Sequence, residues 1–368
     1  MRIPSNPQQD NFYMPFEGEA HDATIIMLPY RSDTWANGGK KASKVFLEMV
    51  KAISKYEKVL LLVSSKVSYN IDDFKLPNVQ IVNLEYDDSW ARDNTLIFLT
   101  DGKIVRGVDF RFNAWGGKVD GLYSNWTDDD MVGERLSNYL NLNSYYLDDF
   151  ILEGGSIHTN GNGTFITTEA CLLSKGRNAK LSKQEIEETL KKYLNAKKII
   201  WLPHGIYNDE TNEHVDNMAC FLDETKILLA YEEDSSDIQY SYSKMALDIL
   251  ENETTFDGKK IEVIKCPLPK TMFMTKEEAL EIEETEYAIK RPENNRLAGS
   301  YINFYQSDKF VLLPKFNAKE DILALNILKN IYPNKDIIQI ESREILLAGG
   351  NIHCTTMQIP KGGYKNED

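Results

Sequence analysis

The chain repeats itself, and the repeats fall on turns. Leu152-Glu153-Gly154-Gly155-Ser156-Ile157-His158 returns as Leu347-Ala348-Gly349-Gly350-Asn351-Ile352-His353. A weaker third copy reads Leu297-Ala298-Gly299-Ser300-Tyr301-Ile302-Asn303. A second set pairs Arg92-Asp93-Asn94-Thr95-Leu96-Ile97-Phe98 with Val215-Asp216-Asn217-Met218-Ala219-Cys220-Phe221. In each copy a polar or glycine-bearing turn leads into a strand-like run. Internal repetition of a turn-plus-strand unit implies repeated supersecondary units around a common axis, with their polar turns gathered at one end. Two Gly-Gly copies that share Leu, Ile and His at matched offsets are poorly explained by chance.

The rest of the chain fits that frame. Amphipathic helical patterns occupy 41–56, 183–194 and 322–331, and Ser182 with Glu185 forms a capping-box pattern before the second. Short strand-like runs occur at 23–28, 59–63, 79–84, 96–99, 164–168, 199–202, 226–230, 261–264 and 310–313. Short strands alternating with helices predict an α/β class. The charged stretch 276–296 reads as a solvated helix or insertion. No linker divides the 368 residues, so a single domain over 1–368 is expected.

The 57 Asp and Glu outweigh the 42 Lys and Arg, leaving a formal charge of −15. Such a surface suits neither phosphate backbones nor anionic membranes, and it accommodates a small cation. The N-terminus lacks an apolar signal core, and no apolar run reaches membrane-spanning length. A soluble, cytoplasmic protein is expected. The four cysteines, Cys171, Cys220, Cys266 and Cys354, form no C-x-x-C pair. A small buried hydrophobe is the default for each, and the neighbours of Cys354 alone challenge it. The five histidines lack the spacing of a local metal site. P-loop, serine-hydrolase elbow and dinucleotide-binding patterns are absent.

What the turns do carry is chemistry. They supply Asp93, Glu153, His214, Asp216 and Cys354. An ionised cysteine is a strong nucleophile at neutral pH. A histidine serves as acid and then base, and a carboxylate beside it fixes its orientation. Further carboxylates match a planar guanidinium through paired, charge-assisted hydrogen bonds. Together they point to covalent chemistry on an amidine or guanidine.

These residues lie within longer stretches that resemble the agmatine deiminases of the guanidine-modifying (pentein) superfamily. The stretches are Gln9-Asp10-Asn11-Phe12-Tyr13-Met14-Pro15, Trp90-Ala91-Arg92-Asp93, Phe112-Asn113-Ala114-Trp115-Gly116-Gly117-Lys118 and Asp148-Asp149-Phe150-Ile151-Leu152-Glu153-Gly154-Gly155-Ser156. They continue with Thr167-Thr168-Glu169-Ala170-Cys171-Leu172-Leu173-Ser174, Gly176-Arg177-Asn178, His214-Val215-Asp216-Asn217 and Gly349-Gly350-Asn351-Ile352-His353-Cys354. The resemblance implies a five-bladed pseudosymmetric α/β propeller of ββαβ-type units with its site in the central channel. It implies a hydrolase of polyamine metabolism that converts agmatine to N-carbamoylputrescine and ammonia, with putrescine synthesis or ATP-yielding catabolism downstream. Cys354 then corresponds to the nucleophile, Asp93 and Asp216 to the guanidinium ligands, and His214 to the acid and base. Glu153 corresponds to the residue that holds His214, while Trp90, Trp115, Gly116 and Gly117 correspond to the pocket lining. A homo-oligomer is also implied, and neither a metal nor an organic cofactor is, because the thiolate, histidine and carboxylates suffice.

Three departures bear on the substrate. Glu213 stands where the family usually has glycine, Asn94-Thr95 replaces a Gly-Pro turn, and Leu28-Pro29-Tyr30-Arg31 replaces Trp-Pro-Glu-Arg. The alternatives are a deiminase for arginine or a methylated arginine, and a non-catalytic propeller binding module. An arginine-type substrate would call for a cationic partner for its carboxylate, with Arg31, Arg92, Arg111 and Arg296 as candidates. A peptidyl-arginine deiminase is disfavoured by the missing signal peptide.

Overall fold

In a computed structural model, which describes residues 1–362, the described residues form six small sheets, and five of them share one topology. The last six residues of the expected 1–368 span lie outside the described residues. In each unit a first strand pairs antiparallel with a second, a helix follows, and a third strand lies parallel to the second. The second unit shows the pattern: Ile97–Thr100 against Val105–Arg111, helix Val132–Tyr139, then Ser144–Ile151. The third unit uses Ile157–Thr159, Thr164–Thr168, helix Lys183–Leu194 and Lys198–Leu202. The fourth uses Ala219–Phe221, Lys226–Tyr231, helix Ile238–Leu250 and Glu262–Pro267. The fifth uses Tyr305–Gln306, Phe310–Lys315, helix Asp321–Ile331 and Asp336–Glu341.

The first unit joins the two ends of the chain. Its outer strand is Thr356–Pro360, which pairs antiparallel with His21–Met27 and places Met357 opposite Ile25. Helix Ala42–Ile53 then leads to Lys58–Val63, parallel to His21–Met27, and Val79–Asn83 extends the sheet. The repeat inferred from the turns is therefore the repeat of the fold, an α/β propeller of five ββαβ units.

Burial follows from local pattern. Helix Ala42–Ile53 turns Val45, Phe46, Met49, Val50 and Ile53 inward. Each such side chain contributes roughly 1.5–3 kcal/mol. Helix Lys183–Leu194 buries Ile186, Leu190 and Leu194 at four-residue spacing. Ser182 accepts from the Glu185 backbone N–H and Glu185 returns the bond, the capping box expected there. The 276–296 stretch is an insertion. It holds one short helix, Lys276–Ala279, framed by the paired segments Met272–Phe273 and Arg296–Leu297. Among the described residues, no helix is long and apolar enough to cross a membrane.

The turns that precede the first strands carry Cys354, Asp93, Glu153, His214 with Asp216, and Asn303. Their side chains meet at one place, so every unit contributes one residue or pair to it.

Candidate active site

The nucleophile candidate sits on the tight turn between Gly350 and Thr356. Cys354 is 5% exposed, and its Sγ lies 3.7 Å from Asp216 Oδ2. The Asn303 side chain flanks the sulfur, with Nδ2 at 3.2 Å, while its Oδ1 accepts the His353 N–H at 3.0 Å. Asn303 fixes the turn and touches the sulfur together. It stands at the repeat offset of His158 and His353, the sequence signal that marks it.

Asp93 ends the short turn that starts at Trp90. Its Oδ1 accepts the Gly155 N–H at 2.9 Å, and its Oδ2 accepts Trp115 Nε1–H at 2.9 Å. His214 Nδ1 lies 3.9 Å from the same Oδ2. Gly155 explains how such groups converge. A Cβ on it would lie 2.6 Å from His214 Nδ1, 2.9 Å from Asp216 Oδ2 and 3.0 Å from Asp93 Oδ1. No residue larger than glycine fits between these three groups.

Glu153 is fully buried, with Oε1 at 2.7 Å from Arg177 Nε. Arg177 also donates to Thr211 O at 2.8 Å, to Asn212 Oδ1 at 2.6 Å and to Trp115 O. Glu153, Cys171 and His214 place one ligand atom each within 4.8 Å of one another. That spacing is within the reach of a metal ion, but the Arg177 guanidinium already meets the Glu153 charge and disfavours a second cation. Cys171 is buried in the hydrophobic core, as expected, and is also a neighbour of His214. No repeat marks it, because it follows a second strand rather than preceding a first.

The charges are strongly coupled. Burial pushes the Asp93 carboxyl up to about 6, helped by Asp216 and Glu153 and opposed by His214. Burial alone would lower His214, yet Asp93, Cys171 and Glu153 reverse this and hold it at about 10. Burial opposes ionisation of Asp216, but the hydrogen bond and charge of His353 keep it below the usual carboxylate range. The Cys354 thiol is driven well above its ordinary value by burial and then by Asp216 and Asp93. The resting site therefore holds a neutral thiol, a protonated His214 and acids that await a cation.

The pocket over Cys354 is lined by Trp90, Trp115 and Leu122 on one side and by Thr211, Asn217 and Gly349 on another, with Asp93 in its wall. Trp90 stacks on Trp35 with ring centroids 5.0 Å apart. Gly116 and Gly117, expected in the lining, are absent from it and lie behind Trp115. Their turn is closed by the Gly117 N–H on Asn113 O at 2.8 Å. They shape the loop that presents Trp115, a step removed from the ligand.

The departures resolve locally. Glu213 adopts φ +65°, a left-handed backbone that favours glycine. Its carboxylate turns to His204 Nδ1 and the Gly205 N–H, both at 2.9 Å. Asn94 donates to Asp88 O at 3.0 Å and Asp129 Oδ1 at 2.9 Å, so it braces the Asp93 turn from behind.

Comparison with known proteins shows the family. The family model described as Porphyromonas-type peptidyl-arginine deiminase matches residues 13–360. A Listeria monocytogenes (serotype 4b, strain F2365) protein, provisionally named agmatine deiminase 1, is 46% identical over 98% of this chain and 99% of its own length. The agmatine deiminase of Pseudomonas aeruginosa (strain LESB58) is 43% identical over 97% of each chain. The solved agmatine deiminase of Enterococcus faecalis superposes with a TM-score of 0.95 at 37% identity, covering 98% of this chain and 99% of that one. With a family model spanning nearly its whole length and relatives at this identity, the chain belongs to the Porphyromonas-type peptidyl-arginine deiminase family, among that family's agmatine deiminases.

Proposed function

We propose that the protein hydrolyses agmatine to N-carbamoylputrescine and ammonia, with Cys354 as covalent nucleophile. The observation that carries this reading is the convergence of Cys354, Asp93, Glu153 and the pair His214 and Asp216 from four units onto one site, where Cys354 and Asp93 line the pocket and His214, Asp216 and Glu153 pack beside them.

A guanidinium entering above Cys354 meets Asp93 on one side and Asp216 on the other. Asp216 Oδ1 is buried with no protein partner, so it is free to accept from the substrate. The cation offsets the carboxylate field that keeps the thiol neutral. Sγ then bonds to the central carbon, and one C–N bond breaks. The thiol gives up its proton to solvent as the cation binds, and the protonated His214 passes its own proton to the departing nitrogen, which leaves as ammonia and takes up the released proton in solution. The cation that remains is a thiouronium held between the two acids. Water attacks the same carbon, His214 takes its proton, the C–S bond breaks, and Cys354 is restored as a thiol beside a ureido product. Glu153, pinned by Arg177, keeps negative charge beside His214 during both proton transfers.

Agmatine is favoured over arginine because the arginines that would hold a carboxylate are already paired. Arg31 meets Asp33 at 2.7 Å, Arg92 meets Glu17 at 3.0 Å and Arg296 meets Asp237 at 3.0 Å. Arg111 pairs with Asp130, and Arg291, beside Gly349 at the pocket, pairs with Glu210. Names among the relatives support the same substrate, and one solved agmatine deiminase, from C. jejuni, holds its substrate (28% identical, TM-score 0.80, 96% of this chain and 97% of that one).

Acid quenching during agmatine turnover, followed by peptide mass analysis, tests the chemistry. The expected result is a Cys354 peptide heavier by agmatine less ammonia. Unmodified Cys354 under steady turnover, with rapid sampling, would overturn the covalent route.

A further inference from the structure

The two repeat-related histidines, His158 and His353, have ring centroids 6.3 Å apart, and their hydrogen bonds require different protonation states. His158 Nδ1 accepts the Phe221 N–H at 3.2 Å, so that nitrogen carries no proton. Burial lowers this histidine to about 4, which leaves it neutral. His353 is held differently. Its Nδ1 lies 2.8 Å from Asp216 Oδ2 and its Nε2 lies 2.8 Å from Glu17 Oε2. A neutral imidazole has one donor and one lone pair. Two carboxylate oxygens at hydrogen-bond distance on opposite edges require both nitrogens to donate, so His353 is an imidazolium.

The chain of charge continues away from the pocket. Glu17 Oε2 also accepts from Arg92 at 3.0 Å, and Glu17 Oε1 accepts the Gln306 N–H at 3.1 Å. Arg92 donates onward to Gln358 Oε1 at 2.9 Å and to His353 O at 3.3 Å. Asp216, His353, Glu17 and Arg92 are all buried, and their formal charges cancel. The Asp216 charge is thus balanced before any substrate arrives. Asp93 has no such partner beyond His214, and burial leaves it raised.

We propose that His353 is a positioning residue, an imidazolium clamped between Glu17 and Asp216 that keeps Asp216 ionised and turns its unpartnered Oδ1 toward a guanidinium. This rests on the reading of Asp216 as a guanidinium ligand. One acid of the pair is charged in advance, and the other takes on charge as the cation binds. The surrounding groups are consistent with the assignment. On the pocket side Asp216 faces His214, Asp93 and Cys354, with Asp209 and Cys220 behind it. Beyond His353, Glu17 feels Arg92, His158 and Lys335. Burial, and then Arg92, would discharge the imidazole, and the two carboxylates outweigh them to hold His353 above its ordinary value.

The test reads the clamp through Cys354 labelling, which needs no turnover. Wild type, His353→Asn and Glu17→Gln are labelled with 2-chloroacetamidine and with neutral 2-chloroacetamide across pH, with thermal melts in parallel. Loss of the imidazolium should slow amidine labelling about tenfold or more at neutral pH and leave acetamide labelling within about threefold. The acid limb of the amidine profile should move up by about one pH unit or more in both variants. With agmatine, KM should rise by a larger factor than kcat falls. Variants that label with the wild-type amidine preference and an unshifted limb, whatever their melting temperature, would overturn the proposal. Should His353→Asn fail to fold, Glu17→Gln decides on the same readouts. A wild type that labels normally and leaves agmatine untouched would refute the substrate assignment, and the labelling comparison would still judge His353.

Discussion

Arg177 Nε lies 2.7 Å from Glu153 Oε1, with both side chains shut off from solvent close to His214. Removing one member of a buried ion pair leaves an uncompensated charge and costs roughly 3–5 kcal/mol. Arg177→Met should therefore lower the melting temperature. It should also cut kcat more than it raises KM, because Glu153 serves His214 rather than the substrate. Arg177→Lys keeps charge but loses the fork that reaches Thr211, Asn212 and Trp115. It should recover stability in part and activity less. Steady-state kinetics with calorimetry checks the separation.

Gly155→Ala tests the convergence of the site directly. The added methyl would stand 2.6 Å from His214 Nδ1 and within 3.0 Å of both guanidinium-facing acids. Activity should fall by about a hundredfold or more, since small displacements of reacting groups carry costs of that order. Circular dichroism should report a folded protein. An alanine variant with wild-type turnover would contradict the packing described here.

The pH profile follows from the signs of the shifts. Asp93 is raised to about 6, so acid below that value protonates a group the cation needs, and kcat/KM falls. The guanidinium favours the carboxylate form, so the acid limb of kcat should lie at lower pH than that of kcat/KM. His214 is held up at about 10, so its proton remains available through neutral pH and is lost as pH rises through that value. Rates with saturating and limiting agmatine across pH separate the two limbs.

Trp115 donates its indole N–H to Asp93 at 2.9 Å and lines the pocket. Trp115→Phe keeps an aromatic wall and deletes the donor. A hydrogen bond to a charged group contributes about 1.5–3 kcal/mol, so KM should rise about tenfold or more with little change in fold. An unchanged KM would place Asp93 under the control of Gly155 alone.

The repeats made much of this architecture legible before any coordinates. Asp93, Glu153, Asp216 and Cys354 all precede a first strand, and the sequence shows that turn-then-strand pattern in several copies. Helices 183–194 and 322–331 were visible as stripes, and the structure places them at Lys183–Leu194 and Asp321–Ile331. Helix Ile238–Leu250 was not, because it buries Gln239 and Ser243 beside its alanine and leucines, which blurs the stripe. Ser144–Ile151 carries exposed Asp148 and Asp149 within a strand, and Ala219–Phe221 is three residues long. Neither displays a periodic signal. Glu17, Arg177 and Cys171 lie outside the repeats, and only the closed ring brings them to the site. Glu213 is visible in the sequence only as a departure from glycine, and its left-handed backbone and bond to His204 come from the fold.

The most direct measurement is ammonia and ureido-product formation from agmatine and arginine in parallel, for wild type and Cys354→Ala. The account predicts equal yields of the two products from agmatine, at least about a hundredfold preference over arginine given the missing partner for its carboxylate, and no turnover by the variant. Arginine consumed as readily as agmatine, or turnover by Cys354→Ala, would contradict it.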